Sequence, residues 1–122
     1  STSRIDLFTG VSRMQRRNSV STDYAWRMND ATSANTAVAA QTGHFALRRT
    51  ASNERSIWRS GSQVATNTQA STALGTGFNL FGTTSNFSDA QISAAYAGSA
   101  LSDAEMASLN TALDALKTGI GF

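Results

Sequence analysis

Two tryptophans, each followed by an arginine, are the residues here best suited to hold a ligand: Trp26-Arg27 and Trp58-Arg59. An indole face can stack on the apolar face of a sugar ring, while guanidinium and amide groups bind the hydroxyls. The candidate glycan-binding set is Trp58, Arg59 and Asn53. Asn53 falls on the loop of "TASNE", and its amide both donates and accepts. Successive residues of a strand point to opposite faces, so Trp58 and Arg59 share a face only if a bulge intervenes at "RSG". Without one, the expectation is that Trp58 packs inward with Leu47 as a cross-strand neighbour and that Arg59 is left at the surface. Packing also fits Trp26, which shares its parity with Tyr24 and Met28.

Other chemistry finds little support. Glycoside hydrolysis needs two carboxylates flanking one bond, about 5 Å apart or wider. No acid-x-acid strand run occurs, and Asp103 and Glu105 fit a helix N-terminus better. His44 is the single histidine and has no adjacent acid, so a triad would need an unmarked Ser and Asp. Asp30 and Asp89 are the acids nearest candidate calcium loops, each without a second carboxylate, whereas calcium takes six to eight oxygens. Cysteine is absent, which excludes disulfides and thiolate metal sites. The expectation is no enzyme, no catalytic residue, no metal and no cofactor.

Charge is sparse: charged residues make up 15% of the 122, apolar residues 40%, and all but one of the ten basic residues are arginine. Arg13, Arg16 and Arg17 cluster, as do Arg48, Arg49, Arg55 and Arg59. Arginine binds phosphate bidentately, but no recognition-helix signature accompanies these clusters, so no nucleic-acid partner is expected. No run approaches the roughly 20 apolar residues of a membrane helix. The length fits one domain, and the Ser1 start suggests a processed product or an excised part of a longer chain.

These residues must be positioned by short strands. "RIDLF", "VSRM", "VSTDYAWRM", "TAVAAQ", "HFALRRT", "SIWR", "QVATN" and "FNLFG" read as strands. With no proline, Gly, Asn, Asp and Ser make the turns. Ser60-Gly61 marks a hairpin. After Gly98 the period changes. Met106, Leu109, Leu113, Leu116 and Ile120 recur at steps of three and four, and Ser102 with Glu105 forms a capping box. The expectation is an antiparallel β-sandwich over 4–98 and an amphipathic helix over 102–117. Gly119 would stop the helix, with Met106, Leu109, Leu113 and Leu116 pointing onto the strands. An echo at an offset of 32 aligns Arg16, Arg17, Trp26 and Arg27 with Arg48, Arg49, Trp58 and Arg59, as two stacked hairpins would, and as chance in an Arg-rich chain also would.

"HFALRRTASNERSIWRSGSQVATNTQASTAL", "FNLFG" and "NFSDAQISAAYAGSALSDAEMASLNTAL" resemble the concanavalin A-like, laminin-G-like jelly-roll domains, as "GVSR" resembles versions in phage and prophage structural proteins. The resemblance implies an all-β jelly roll closed by a helix. It also implies a non-enzymatic structural or adhesion module of a virion (capsid, tail or fibre) or exported assembly, located in the virion or at a cell surface. Its partners would be copies of itself or neighbouring virion proteins. A carbohydrate-binding module reading a cell-surface glycan is the alternative, and a glycan-degrading enzyme a remote one.

Overall fold

The structure, a computed structural model, describes residues 4–8, 11–16, 23–38, 42–73, 79–80 and 94–121. Among these described residues, eight strands precede one helix. They are β1 (Arg4–Phe8), β2 (Arg13–Arg16), β3 (Asp23–Arg27), β4 (Ala34–Ala37), β5 (Phe45–Ala51), β6 (Glu54–Arg59), β7 (Ser62–Thr68) and β8 (Asn79–Leu80), followed by α1 (Asp103–Gly119). One antiparallel sheet has the order β4-β3-β2-β1-β8 and the other β5-β6-β7. Within each sheet consecutive strands are neighbours, and β8 returns to the first sheet after the second is complete. The "TAVAAQ" strand lies slightly earlier than its sequence suggests, at Ala34–Ala37.

The main core lies between the sheets. Tyr24 and Trp26 of β3 meet Ile57 of β6, with Met14, Phe45, Leu47 and Ala65 packed around them. Tyr24 and Phe45 stack across the gap with centroids 4.5 Å apart, a geometry that adds to the area they bury. Trp26 Nε1 donates to Thr36 Oγ1 at 2.8 Å, so the indole is buried without an orphaned donor.

A second cluster occupies the opposite face of the β5-β6-β7 sheet, where Ala46 and Trp58 pack against Met106 and Leu101. Strand alternation creates both clusters. Leu47 pairs with Ile57 on the inner face, and Ala46 pairs with Trp58 on the outer one. Trp58 is therefore not a neighbour of Leu47. The Trp-Arg echo places Trp26 between the sheets and Trp58 between sheet and helix.

Ser60 and Gly61 join β6 to β7 with φ of +48° and +77°. Positive φ at both central residues is the signature of the two-residue hairpin turn whose twist matches the strands. An added Cβ on Gly61 would lie 3.2 Å from both Ala107 Cα and Asn110 Cβ, so this turn also seats the helix.

The helix begins as its sequence indicates. Ser102 is the N-cap, accepting from Glu105 N, and the Glu105 carboxylate accepts from Ser102 N at 2.7 Å. Its end differs. Gly119 lies inside the helix, and Gly121, at φ +82°, turns the chain after Ile120. Glycine in a last turn costs about 1 kcal/mol relative to alanine, too little to end a helix by itself. The apolar stripe also differs from expectation. Met106 is buried and Leu109 and Leu113 are half-buried, but Leu116 is 53% exposed and Ile120 56%.

Candidate functional site

The three residues of the candidate glycan set occupy separate surroundings. Trp58 is 4% exposed. Its Nε1 donates to Ser56 Oγ at 2.8 Å, and its ring lies beneath the Arg48 guanidinium, 4.3 Å from the centroid. Arg48 then reaches the helix start, donating from Nη1 to Leu101 O at 3.1 Å and to Asp103 Oδ1 at 2.6 Å. Trp58 is thus the floor of a seam closed by Met106, Leu101 and Arg48, with no ring face free for a sugar.

Arg59 points to the other face. It donates from Nε and Nη2 to Thr42 O at 3.0 and 2.9 Å, and its guanidinium sits 5.9 Å from the Phe45 ring. A register irregularity does occur, opposite Ile57 and Trp58, where Val64 of β7 is the additional residue between partners Gln63 and Ala65. It leaves Trp58 and Arg59 on opposite faces. Asn53 is exposed in the turn between β5 and β6, and its carbonyl accepts from Gln69 N at 3.1 Å. At about 3.3 Å rise per strand residue, Asn53 and Arg59 lie at opposite ends of β6, roughly 20 Å apart.

The most heavily built polar constellation involves residues the sequence did not bring together. Asp30 and Arg55 are each 1% exposed. Arg55 Nη1 donates to Asp30 Oδ1 at 2.8 Å and Oδ2 at 2.6 Å, and also to Thr32 O. Its Nε and Nη2 share Asn67 Oδ1 at 3.3 and 3.1 Å. The same guanidinium lies 5.1 Å from the Trp26 centroid. Arg49 adds a second cation to Asp30 at 3.2 Å and donates to the carbonyls of Met28, Ser52 and Gln69. One buried carboxylate thus anchors two arginines that tie the β3–β4 loop, the β5–β6 turn and the chain after β7 together. Burial pulls the Arg55 pKa down and the Asp30 charge opposes that pull.

Asp30 was also the early-turn candidate for calcium. Both its oxygens accept from Arg55, and Oδ1 also accepts from Thr32 N at 2.8 Å, so they face arginine rather than an open rim. Asp89, with Phe78, Phe81 and Phe87, lies outside the described residues. Among the described residues, no group of three or more His, Cys, Asp or Glu could hold a metal ion.

His44 lies at the other end of the β5-β6-β7 sheet. Its Nε2 and the Tyr96 hydroxyl share a hydrogen bond of 2.9 Å, with ring centroids 5.5 Å apart. Asn110 lies against the imidazole and donates from Nδ2 to Asp114 Oδ2 at 3.0 Å. Burial lowers the His44 pKa below 6.5, while Asn110 and the Asp114 charge act in the opposite direction. No nucleophile completes this group among the contacts described.

Comparison with known proteins finds no matching family model, no matching curated protein and no matching solved structure.

Proposed function

We propose that the protein is a non-enzymatic structural or adhesion module of a virion or exported assembly, joined to copies of itself or to neighbouring proteins. The observation carrying this reading is where the chemistry-bearing side chains go. Arg48, Arg49, Arg55, Asp30, Trp26 and Trp58 all bond or pack within the fold. The outward surface along β7 is uncharged and rich in hydroxyls and amides, with Ser62, Gln63, Thr66, Asn67 and Thr68 all exposed, while exposed charge gathers at Glu54 and on α1 at Asp103, Glu105, Asp114 and Lys117. Such a surface suits wet, polar contact with other subunits. The resemblance to phage concanavalin A-like domains supplies the virion setting. The return of β8 to the first sheet is the connection that favours jelly-roll topology.

The alternative, a carbohydrate-binding module, draws on the same β7 surface. Its site would be the exposed row of β7 with Asn53 beside its far end, since Gln69 N bonds Asn53 O. Trp58, paired with Gln63, lies on the same sheet face as Gln63, Thr66 and Thr68, covered by Met106 and Leu101. A glycan array run with wild type and Asn53→Ala separates the two readings. The structural reading expects no glycan bound by wild type. Strong binding to a defined glycan class would replace it with the lectin-like reading.

A further inference from the structure

A sheet edge presents a row of backbone N–H and C=O groups to which a further strand can pair. Proteins blunt such edges with charge, proline, bulges or very short strands. Among the described residues, the edge strands are β4 and β8 in one sheet and β5 and β7 in the other. β4 has four residues and β8 two. β5 carries Arg48 and Arg49 and shifts register between Arg48 and Ala51. β7 has seven residues with neither charge nor proline, and the chain stays uncharged from Ser60 to Ala73. Its irregularity is confined to Val64, which leaves Ala65 to Thr68 in unbroken register with β6. No described strand pairs with its outer edge.

We infer that β7 pairs with β7 of a second copy, antiparallel about a two-fold axis at Asn67. The inference rests on the oligomeric reading proposed above and names the edge that would serve it. The self-complementarity of the strand selects the occupant. Two copies related in this way set Thr66 opposite Thr68 twice, and Ala65 opposite Gln69 twice. Thr66 and Thr68 share one sheet face, since they pair with Ser56 and Glu54 of β6, and both are exposed. Threonine opposite threonine is a favourable cross-strand pair, whereas like charges placed opposite each other repel. A Lys or Glu in this run would meet its own charge near the axis, and the run has none. The flanking side chains are already held by their own sheet. Thr66 Oγ1 donates to the Arg55 carbonyl at 3.3 Å, and Asn67 Oδ1 accepts from Arg55 Nε and Nη2. Less side-chain freedom is therefore lost when the edge is covered.

The shared run is Ala65 to Gln69, about 16 Å of strand. Beyond it the chain leaves the edge, with Ser71 N donating to Ser52 O and Thr72 N to Asn29 O. The contact is therefore weak in isolation and strengthens when many copies are held together, as in an assembly.

Sedimentation equilibrium over rising concentration tests the edge. Wild type should rise in average mass toward a two-fold increase. A Thr66→Lys, Thr68→Lys double variant sets lysine opposite lysine at both pairs. Shown to be folded by near-ultraviolet dichroism, it should stay monomeric over the same range. Mixing it with Thr66→Glu, Thr68→Glu chains should restore the two-fold mass, because unlike charges then face each other. The chain has no cysteine, so register can be read from single variants. Thr66→Cys and Thr68→Cys chains should cross-link to each other several-fold more than to themselves. Preferential self-cross-linking would overturn the pairing about Asn67. A wild-type oligomer whose mass is unchanged by the lysine pair would overturn this edge while leaving the oligomeric reading intact. A wild type that is monomeric throughout, with no cross-link, would overturn self-association.

Discussion

Arg48 covers the Trp58 ring at 4.3 Å and bonds Asp103 at 2.6 Å, so a single side chain joins the outer face of a sheet to the first turn of α1. The arginine itself is 8% exposed, whereas Asp103 is 79% exposed. Removing the carboxylate leaves the arginine its ring contact and the Leu101 carbonyl, so Asp103→Ala should cost no more than about 1 kcal/mol. Arg48→Ala removes the stem, the ring contact and the carbonyl bond together and should cost more. Urea denaturation of the two variants gives the comparison.

The buried charge cluster should respond asymmetrically. Asp30→Ala leaves Arg55 and Arg49 facing each other without their shared anion and should lose about 3–5 kcal/mol. The Asp30→Leu, Arg55→Met double variant removes the buried pair and should lose less than Asp30→Ala alone. Equilibrium unfolding in denaturant measures both, and equal losses would show that the pair is not acting as a unit.

Docking of α1 should depend on its first half. Met106→Ala should cost about 2–5 kcal/mol, as for a buried methionine. Leu116→Ala, at an exposed position, should change stability by no more than about 0.5 kcal/mol at concentrations where the protein is monomeric. Thermal or chemical melts of the two variants would show the gradient along the helix.

Stability should rise with pH through the titration of His44. Its folded pKa lies below 6.5, because burial disfavours the imidazolium more than Asn110 and Asp114 favour it. Between the folded value and 6.5 the unfolded chain binds more protons. The contribution is complete above 6.5 and is lost as pH falls through the folded pKa. Unfolding free energies across that range, with His44→Gln flattening the slope, would verify it.

The sequence exposed the parts whose signal is local. Strand alternation placed Tyr24 and Trp26 together, Ser60-Gly61 marked the hairpin, and Ser102 with Glu105 marked the helix start. Each depends on neighbours within a few residues. What stayed hidden depends on which layer covers which face. The same alternation buries Trp58 as it buries Trp26, but only the placement of α1 shows that its cover is Met106 rather than the opposite sheet. The clasp of Asp30 with Arg49 and Arg55 joins residues 19 and 25 positions apart, a spacing without a local signature. The helix stripe was legible as an apolar face, but the exposure of its second half was not. Gly61 admits Ala107 and Asn110 closely, and that contact turns the helix so that Leu116 and Ile120 face away.

The account rests above all on Trp58 being a packing residue beneath α1 rather than a ligand platform. The two tryptophans allow a direct measurement by nuclear magnetic resonance of their indole protons. Both should exchange slowly with solvent, since Trp26 Nε1 is bonded to Thr36 and Trp58 Nε1 to Ser56. The Trp58 resonance should also move on Met106→Ala, which opens its cover. A Trp58 indole proton that exchanges at the rate of a free peptide and shifts on adding a glycan would contradict the account.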